Sequence, residues 1–325
     1  MTTSRYQRLS WGTLVFVVAV IVWGAYVRAT GSGAGCGSHW PTCNGEIIPQ
    51  AAGTKTVIEL THRVTSGLSA LMVFAQVFFA FRLFERGHRV RKAATWAGIF
   101  MVIEVLIGAG IVLLRYVEQN ASIARAIWMA VHLCNTFLLV GAMALTAHFA
   151  AGRPGFSVRG RGASGFFGMA GLVGTIVVGM SGAVAALGDT LFPASTLGSA
   201  LAQDLSPTAH LLVRLRVVHP FVAVLVAFML LTVRYILAAR HPDDRSVQGW
   251  GLALRVTVVA QMLFGLINMM LLAPTSLQLV HLTLAQALWV ALVLFLATSF
   301  AAEEQAQAPL SSDEPRSSLS SVTPS

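Results

Sequence analysis

Charged residues are scarce in this chain, 11% of 325, while 56% are hydrophobic. An ordinary soluble domain carries about a quarter charged residues, so a soluble fold is excluded. Cysteine is scarcer still: three in all, two of them (Cys36 and Cys43) in one short loop and the third (Cys134) inside an apolar run. That excludes a disulfide scaffold. Acidic residues number 13 against 22 Lys and Arg, a formal charge of +9. The basic residues fall between apolar runs, as membrane orientation requires, and form no patch for nucleic acid.

The apolar runs predict eight membrane helices, each long enough to cross roughly 30 Å of hydrocarbon, at about 12–28, 57–81, 94–114, 127–149, 165–187, 211–237, 251–273 and 276–301. The first follows Arg5 and Arg8 but ends in Arg28 and a Gly-rich loop without a small-residue cleavage site, so it reads as a retained helix. The segment 302–325, rich in Ser, Pro, Gln and acidic residues, reads as a disordered tail. Fifteen of the 22 Lys and Arg lie on one side: the N-terminus, the connections 82–92, 153–161 and 234–255, and the tail. Both termini therefore read as cytoplasmic, with the loops 29–56 and 188–210 outside a cell membrane crossed many times.

The two halves align. A shift of 157 residues carries His62 onto His219, Glu104 onto Gln261 and Gly108 onto Gly265, and a shift of 149 carries Val131-His132-Leu133 onto Val280-His281-Leu282. The fold expected is all-α and integral to the membrane, as two pseudo-symmetric four-helix bundles over 1–150 and 151–301. An even number of helices per copy relates them by an axis along the membrane normal.

His62, His132, His219 and His281 each fall a few residues into a helix running from outside to inside, which puts the rings in one layer roughly 7–12 Å below the outer boundary. Ionisable residues in membrane helices are costly and mark function. Two histidines on facing helices of a bundle can grip a heme iron from both axial positions. Copper or zinc also takes imidazole, but such sites recruit Cys, Met or carboxylate ligands, and Cys134, two residues after His132, points from another face. His39, His88, His148, His210 and His241 read as solvent-facing.

Arg63, Arg214 and Arg216 lie near this layer, where guanidinium groups suit anionic propionates; interfacial anchoring is the alternative. Glu59 shares a face with His62 and reads either as a carboxylate acting at the iron or as a helix cap. Its counterpart in the second half is Arg216, so the halves differ where chemistry would matter. Glu104 reads as a supporting or proton-path residue. Cys36 and Cys43 lie on the oxidising side, where a disulfide persists, either as a staple or as a redox pair.

Eight spans in two similar halves, VRATGSGAGC and WPTC in the first outer loop, ELTHR in the second helix and VHL in the fourth and eighth resemble the heme A synthases over about residues 12–300. The resemblance implies an oxidoreductase that converts the methyl group of heme O to a formyl group, giving heme A for an aa3-type oxidase. It implies heme O between His62 and His132, Glu59 as the catalytic carboxylate, heme b on His219 and His281, and Cys36 with Cys43 as the family's outer pair. Its implied partners are the protoheme farnesyltransferase that makes heme O and the assembly of the oxidase. Two departures stand out: Pro220 follows His219 where an arginine matching Arg63 is expected, and the loop 188–210 has no second cysteine pair. The residues alone also suit a non-catalytic diheme cytochrome exchanging electrons with quinone.

Overall fold

The computed structural model describes residues 1–50 and 52–307, and among them it is all helical. Eight helices are long and apolar enough to cross a membrane: α1 (Thr3–Ala29), α2 (Thr54–Leu83), α3 (Arg89–Leu113), α4 (Ile123–Ala150), α5 (Gly162–Leu191), α7 (Leu211–Ala239), α8 (Arg245–Met270) and α9 (Thr275–Gln307). A ninth, the short α6 (Leu197–Leu205), lies in the connection 188–210. Its signal was a capping box, with Thr196 and Ser199 each accepting from the other's backbone N–H.

Most helices outrun the apolar windows that foretold them, because polar first and last turns remain helical beyond the hydrocarbon. Thus α1 begins at Thr3, where the Thr2 side chain caps Arg5. Likewise α9 continues to Gln307, past the tail boundary at 302; residues 308–325 of that tail lie outside the described residues. The helix α8 stops short, at Met270, because Leu272 and Ala273 take positive φ to turn the chain before Pro274.

Within the first four spans α1 packs on α2 and α4, and α3 packs on α2 and α4; in the last four α5 packs on α7, and α8 on α7 and α9. The halves meet where α4 lies against α5 and α9 and where α1 touches α9. At that seam Trp289 donates to the Phe137 carbonyl (2.6 Å) and stacks on its ring at 5.1 Å. Gly141 leaves the indole its space: a Cβ there would lie 3.1 Å from Nε1. One buried apolar cluster runs through both halves, from Leu14 and Val73 to Leu230 and Phe295. The central helices α4 and α9 each carry one of the four histidines. At the loop end of the seam, Arg28 of α1 reaches across to the Ala186 carbonyl (2.7 Å), Thr190 (2.6 Å) and Gln278 (2.8 Å).

Candidate functional site

Each of the four histidines stands a short way inside its helix. Their helices begin at Thr54, Ile123, Leu211 and Thr275, so His62, His132, His219 and His281 stand 8, 9, 8 and 6 residues inside (62−54, 132−123, 219−211, 281−275). All four are half-buried.

Three of the rings sit on glycine. A Cβ on Gly24 of α1 would come within 2.8 Å of Cε1 of His62, and Cβ atoms on Gly182 of α5 and Gly265 of α8 within 3.0 Å of Cε1 of His219 and His281. Such close approach is open only to a residue without a side chain. Gly265 belonged to the repeat alignment; Gly24 and Gly182 carried no signal of their own, since nothing local distinguishes a glycine opposite a ring from one in a plain helix contact.

Each histidine of a central helix has a polar attendant from the helix before it. Glu104 of α3 brings Oε1 to 3.4 Å from Nδ1 of His132, and Gln261 of α8 brings its amide nitrogen to 3.1 Å from Nε2 of His281. The two attendants are repeat equivalents, one ionisable and one not. Glu104 is held in turn by Asn135 (2.6 Å) and Thr136 (2.5 Å) of α4. His219 has Ser181 Oγ at 3.0 Å from Nδ1.

The His219–His281 pair meets a test of fit for heme. Their ring centroids are 6.5 Å apart with planes at 88°. Two imidazoles binding one metal from opposite sides at roughly 2 Å put their centroids about 6 Å apart. Nδ1 of His62 and of His281 is buried without a hydrogen-bond partner. Among the described residues no three His, Cys, Asp or Glu side chains converge as a metal cage. A pair of imidazoles without further protein ligands would suit an iron whose other positions belong to a macrocycle.

Beyond the histidines each half ties down its own loop, from equivalent positions with opposite charge. Cys36 and Cys43 form a disulfide and are wholly buried. Glu59, 3% exposed, accepts from the Cys36 N–H (2.8 Å) and from Arg63 (2.5 Å). Arg63 also donates to the carbonyls of His39 (2.6 Å) and Thr42 (2.8 Å). Gly35 lies flat on the start of α2, where a Cβ would meet the Lys55 backbone at 2.5 Å. In the second half Arg216 donates to Asp204 (2.5 Å), Gln203 (3.2 Å), Asp189 (3.3 Å) and the Phe192 carbonyl (3.4 Å). An ionic tie thus holds the loop that lacks a second cysteine pair.

Of the expected propionate partners, Arg63 commits four of the guanidinium's five N–H groups, two to Glu59 and two to its loop, Arg216 commits four to the second loop and its edges, and Arg214 is exposed. Pro220 stands inside α7, which continues through it to Ala239. Cys134 is a free thiol. The lesser histidines divide. His39, His88 and His210 are exposed and His241 is half-buried. His148, expected to face solvent, is instead 5% exposed, because α4 is enclosed by its neighbours from His132 to Ala150.

These features define a multi-pass helical membrane protein with two pairs of histidines near one end of the bundle. The sequence matches, over residues 7–293, the COX15-CtaA family described as cytochrome oxidase assembly protein, and the chain belongs to that family. It is 48% identical over 305 residues to proteins named protoheme IX farnesyltransferase from two strains of Thermus thermophilus, covering 92% of this chain and 49% of theirs. The chain thus spans about half the length of these curated relatives. It is 36% identical over 100 residues to a heme A synthase of Bacillus mycoides, covering 31% of this chain and 32% of that protein.

Proposed function

We propose that this chain is a heme A synthase, an oxidoreductase that converts the methyl group of heme O to a formyl group for an aa3-type terminal oxidase. The observation that carries the reading is the inequality of two equivalent histidine pairs within a family of cytochrome oxidase assembly proteins. His62 and His132 have the carboxylates Glu59 and Glu104 nearby, whereas His219 and His281 have Arg216 and Gln261.

In this reading 1–150 is the substrate half and 151–301 the cofactor half. His62 and His132 hold heme O; His219 and His281 hold heme b, which when bound supplies one-electron redox chemistry. Glu104, with Oε1 at 3.4 Å from Nδ1 of His132, stands where its charge would favour the tautomer that leaves Nε2 for iron. Glu59 is the catalytic carboxylate beside the reacting group. The one N–H left on each of Arg63 and Arg216 serves a propionate. The Cys36–Cys43 loop closes the site toward the outside, both termini facing the cytoplasm.

The partner proposed is the protoheme farnesyltransferase. The Thermus relatives carry that name and have about as much chain again beyond the matched half. One polypeptide carrying both a farnesyl transfer and this family's region would link consecutive steps on one heme.

The test is to express the chain with a protoheme farnesyltransferase in a host that makes no heme A, extract the pigments and separate them by chromatography. Heme A in the extract, with heme b on the purified protein, is the expected result. Accumulated heme O with no heme A would overturn the proposal.

A further inference from the structure

The first half differs from the second in one respect that the heme sites do not account for. Below His62, the face of α2 turned to α1 reads His62, Ser66, Ser69, Val73, Gln76, Ala80; the same face of α7 reads His219, Ala223, Val226, Leu230, Val233, Leu237. These positions recur at alternating steps of four and three, which keeps them on one stripe of a helix. On α1 the opposing stripe reads Tyr6, Ser10, Thr13, Val17, Val20, Gly24. Both ends of the contact are pinned: the Tyr6 hydroxyl donates to the Gln76 carbonyl (3.1 Å), and Gly24 seats the His62 ring. The two stripes therefore face each other from the end of the bundle that bears the termini up to the histidine layer.

Tyr6, Ser10, Thr13 and Gln76 have no exposed surface, and Ser69 has 4%. Small hydroxyl side chains are common glue between membrane helices, and Ser10 and Ser69 do bond back to their own helix. That does not account for Gln76, whose amide nitrogen and oxygen are both buried without a partner, nor for the Thr13 hydroxyl, also unpartnered. A wholly buried amide with nothing to bond is costly in a dry interior, and such groups are satisfied by bound water. The equivalent α5–α7 contact of the second half is the dry alternative; the unpartnered buried amide of that half, Gln286, lies on α9, outside it. In the α5–α7 contact Val226 and Leu230 press onto Gly174 and Gly171, where a Cβ would lie 3.2 and 3.1 Å from their methyl groups.

We infer that bound water at Thr13 and Gln76 continues past the apolar side chains of Val17 and Val73 to Ser69 and Ser66, forming a proton path between the end of the bundle where α1 begins and the His62 site. Such a file passes a proton by relay: each water or hydroxyl accepts one proton as it releases another, and nothing in the file is consumed. Its use rests on the proposed oxidation of heme O. Hydroxylating a methyl carbon moves protons whichever way the oxygen comes, releasing them with water as source and taking them up with dioxygen. The site that in this reading only holds heme b has no such need, and below His219 the stripe on α7 carries no polar side chain.

Two measurements on the full-length protein test this. Hydroxyl-radical footprinting with X-ray pulses labels buried residues that touch bound water. Tyr6, Leu14 and Val73 should label several times faster than Leu230 and Val233; equal, slow labelling would overturn the file. Gln76→Val copies the second half. It should retain heme b yet lose heme A production by about 10²-fold, the weight of a rate-limiting proton transfer, with a larger solvent deuterium isotope effect. Ser69→Val, a smaller change, serves if that variant fails to fold. A variant that binds heme and turns over within about twofold of the parent sinks the path. Should the parent itself make no heme A, the proposed function falls while the footprint still decides whether water is there.

Discussion

Glu59 accepts the backbone N–H of Cys36 at 2.8 Å, so the carboxylate nearest His62 along its helix is also the anchor of the disulfide loop. The repeat equivalent, Arg216, anchors its own loop with donors in place of acceptors. Loop-holding is thus common to both halves, and any catalytic duty of Glu59 is added to it.

The two duties separate by substitution. Glu59→Gln keeps an acceptor for the Cys36 N–H and loses the charge; Glu59→Ala loses both. Both variants are expected to retain heme b and make little heme A, while only Glu59→Ala speeds reduction of Cys36–Cys43 by a soluble thiol. Normal heme A output from Glu59→Gln would leave Glu59 an anchor and nothing more.

The glycine seats offer a paired experiment. Gly24→Ala drives a methyl group to 2.8 Å from the His62 ring, and Gly182→Ala drives one to 3.0 Å from the His219 ring. Overpacking of this kind costs about 1–3 kcal/mol, enough to weaken ligation roughly tenfold or more. Gly24→Ala should lower heme A production with the heme b spectrum intact; Gly182→Ala should deplete heme b. Identical spectra and yields in both variants would mean the rings shift without loss.

Glu104→Gln gives His132 the attendant that His281 already has. Loss of the charge at Nδ1 should leave heme b unchanged and raise the reduction potential of a heme held at His62 and His132, read by redox titration. An unchanged potential would show that the carboxylate does not act through this ring.

Arg28→Met removes three hydrogen bonds across the seam between the halves. With charged hydrogen bonds contributing about 1.5–3 kcal/mol each and partial compensation by water, a loss of about 2–4 kcal/mol is expected, seen as a lower thermal midpoint in detergent. No change in midpoint would mean that the apolar cluster alone holds the halves together.

Arg216→Ala should free the loop 188–210, making α6 the first site of limited proteolysis at the loop end. Cleavage elsewhere first would show that Phe192 and its neighbours hold the loop unaided.

Spans, their count and the layer of four histidines were legible from residues alone. Apolar length and helical rise depend only on the local chain, and a polar ring in an apolar run is conspicuous. The repeat was legible because His62 and His219, and His132 and His281, share a register. The short helix α6 is not legible there, because its capping box lies in a segment with no apolar periodicity. The burial of His148 is not legible either, because nearness to a helix end says nothing about which helix is central.

By itself, then, the sequence determined that this protein spans a membrane as eight helices and carries two pairs of candidate iron ligands at one depth. Tertiary structure decided what surrounds those ligands. It set Gly24, Gly182 and Gly265 against the rings, Glu104 and Gln261 beside their nitrogens, Glu59 and Arg216 under their loops, and Arg28 across the seam. Hydrophobicity places each helix in the bilayer through local composition. Which residue meets which across a contact depends on the rotation and packing of whole helices, and no single stretch of chain encodes that.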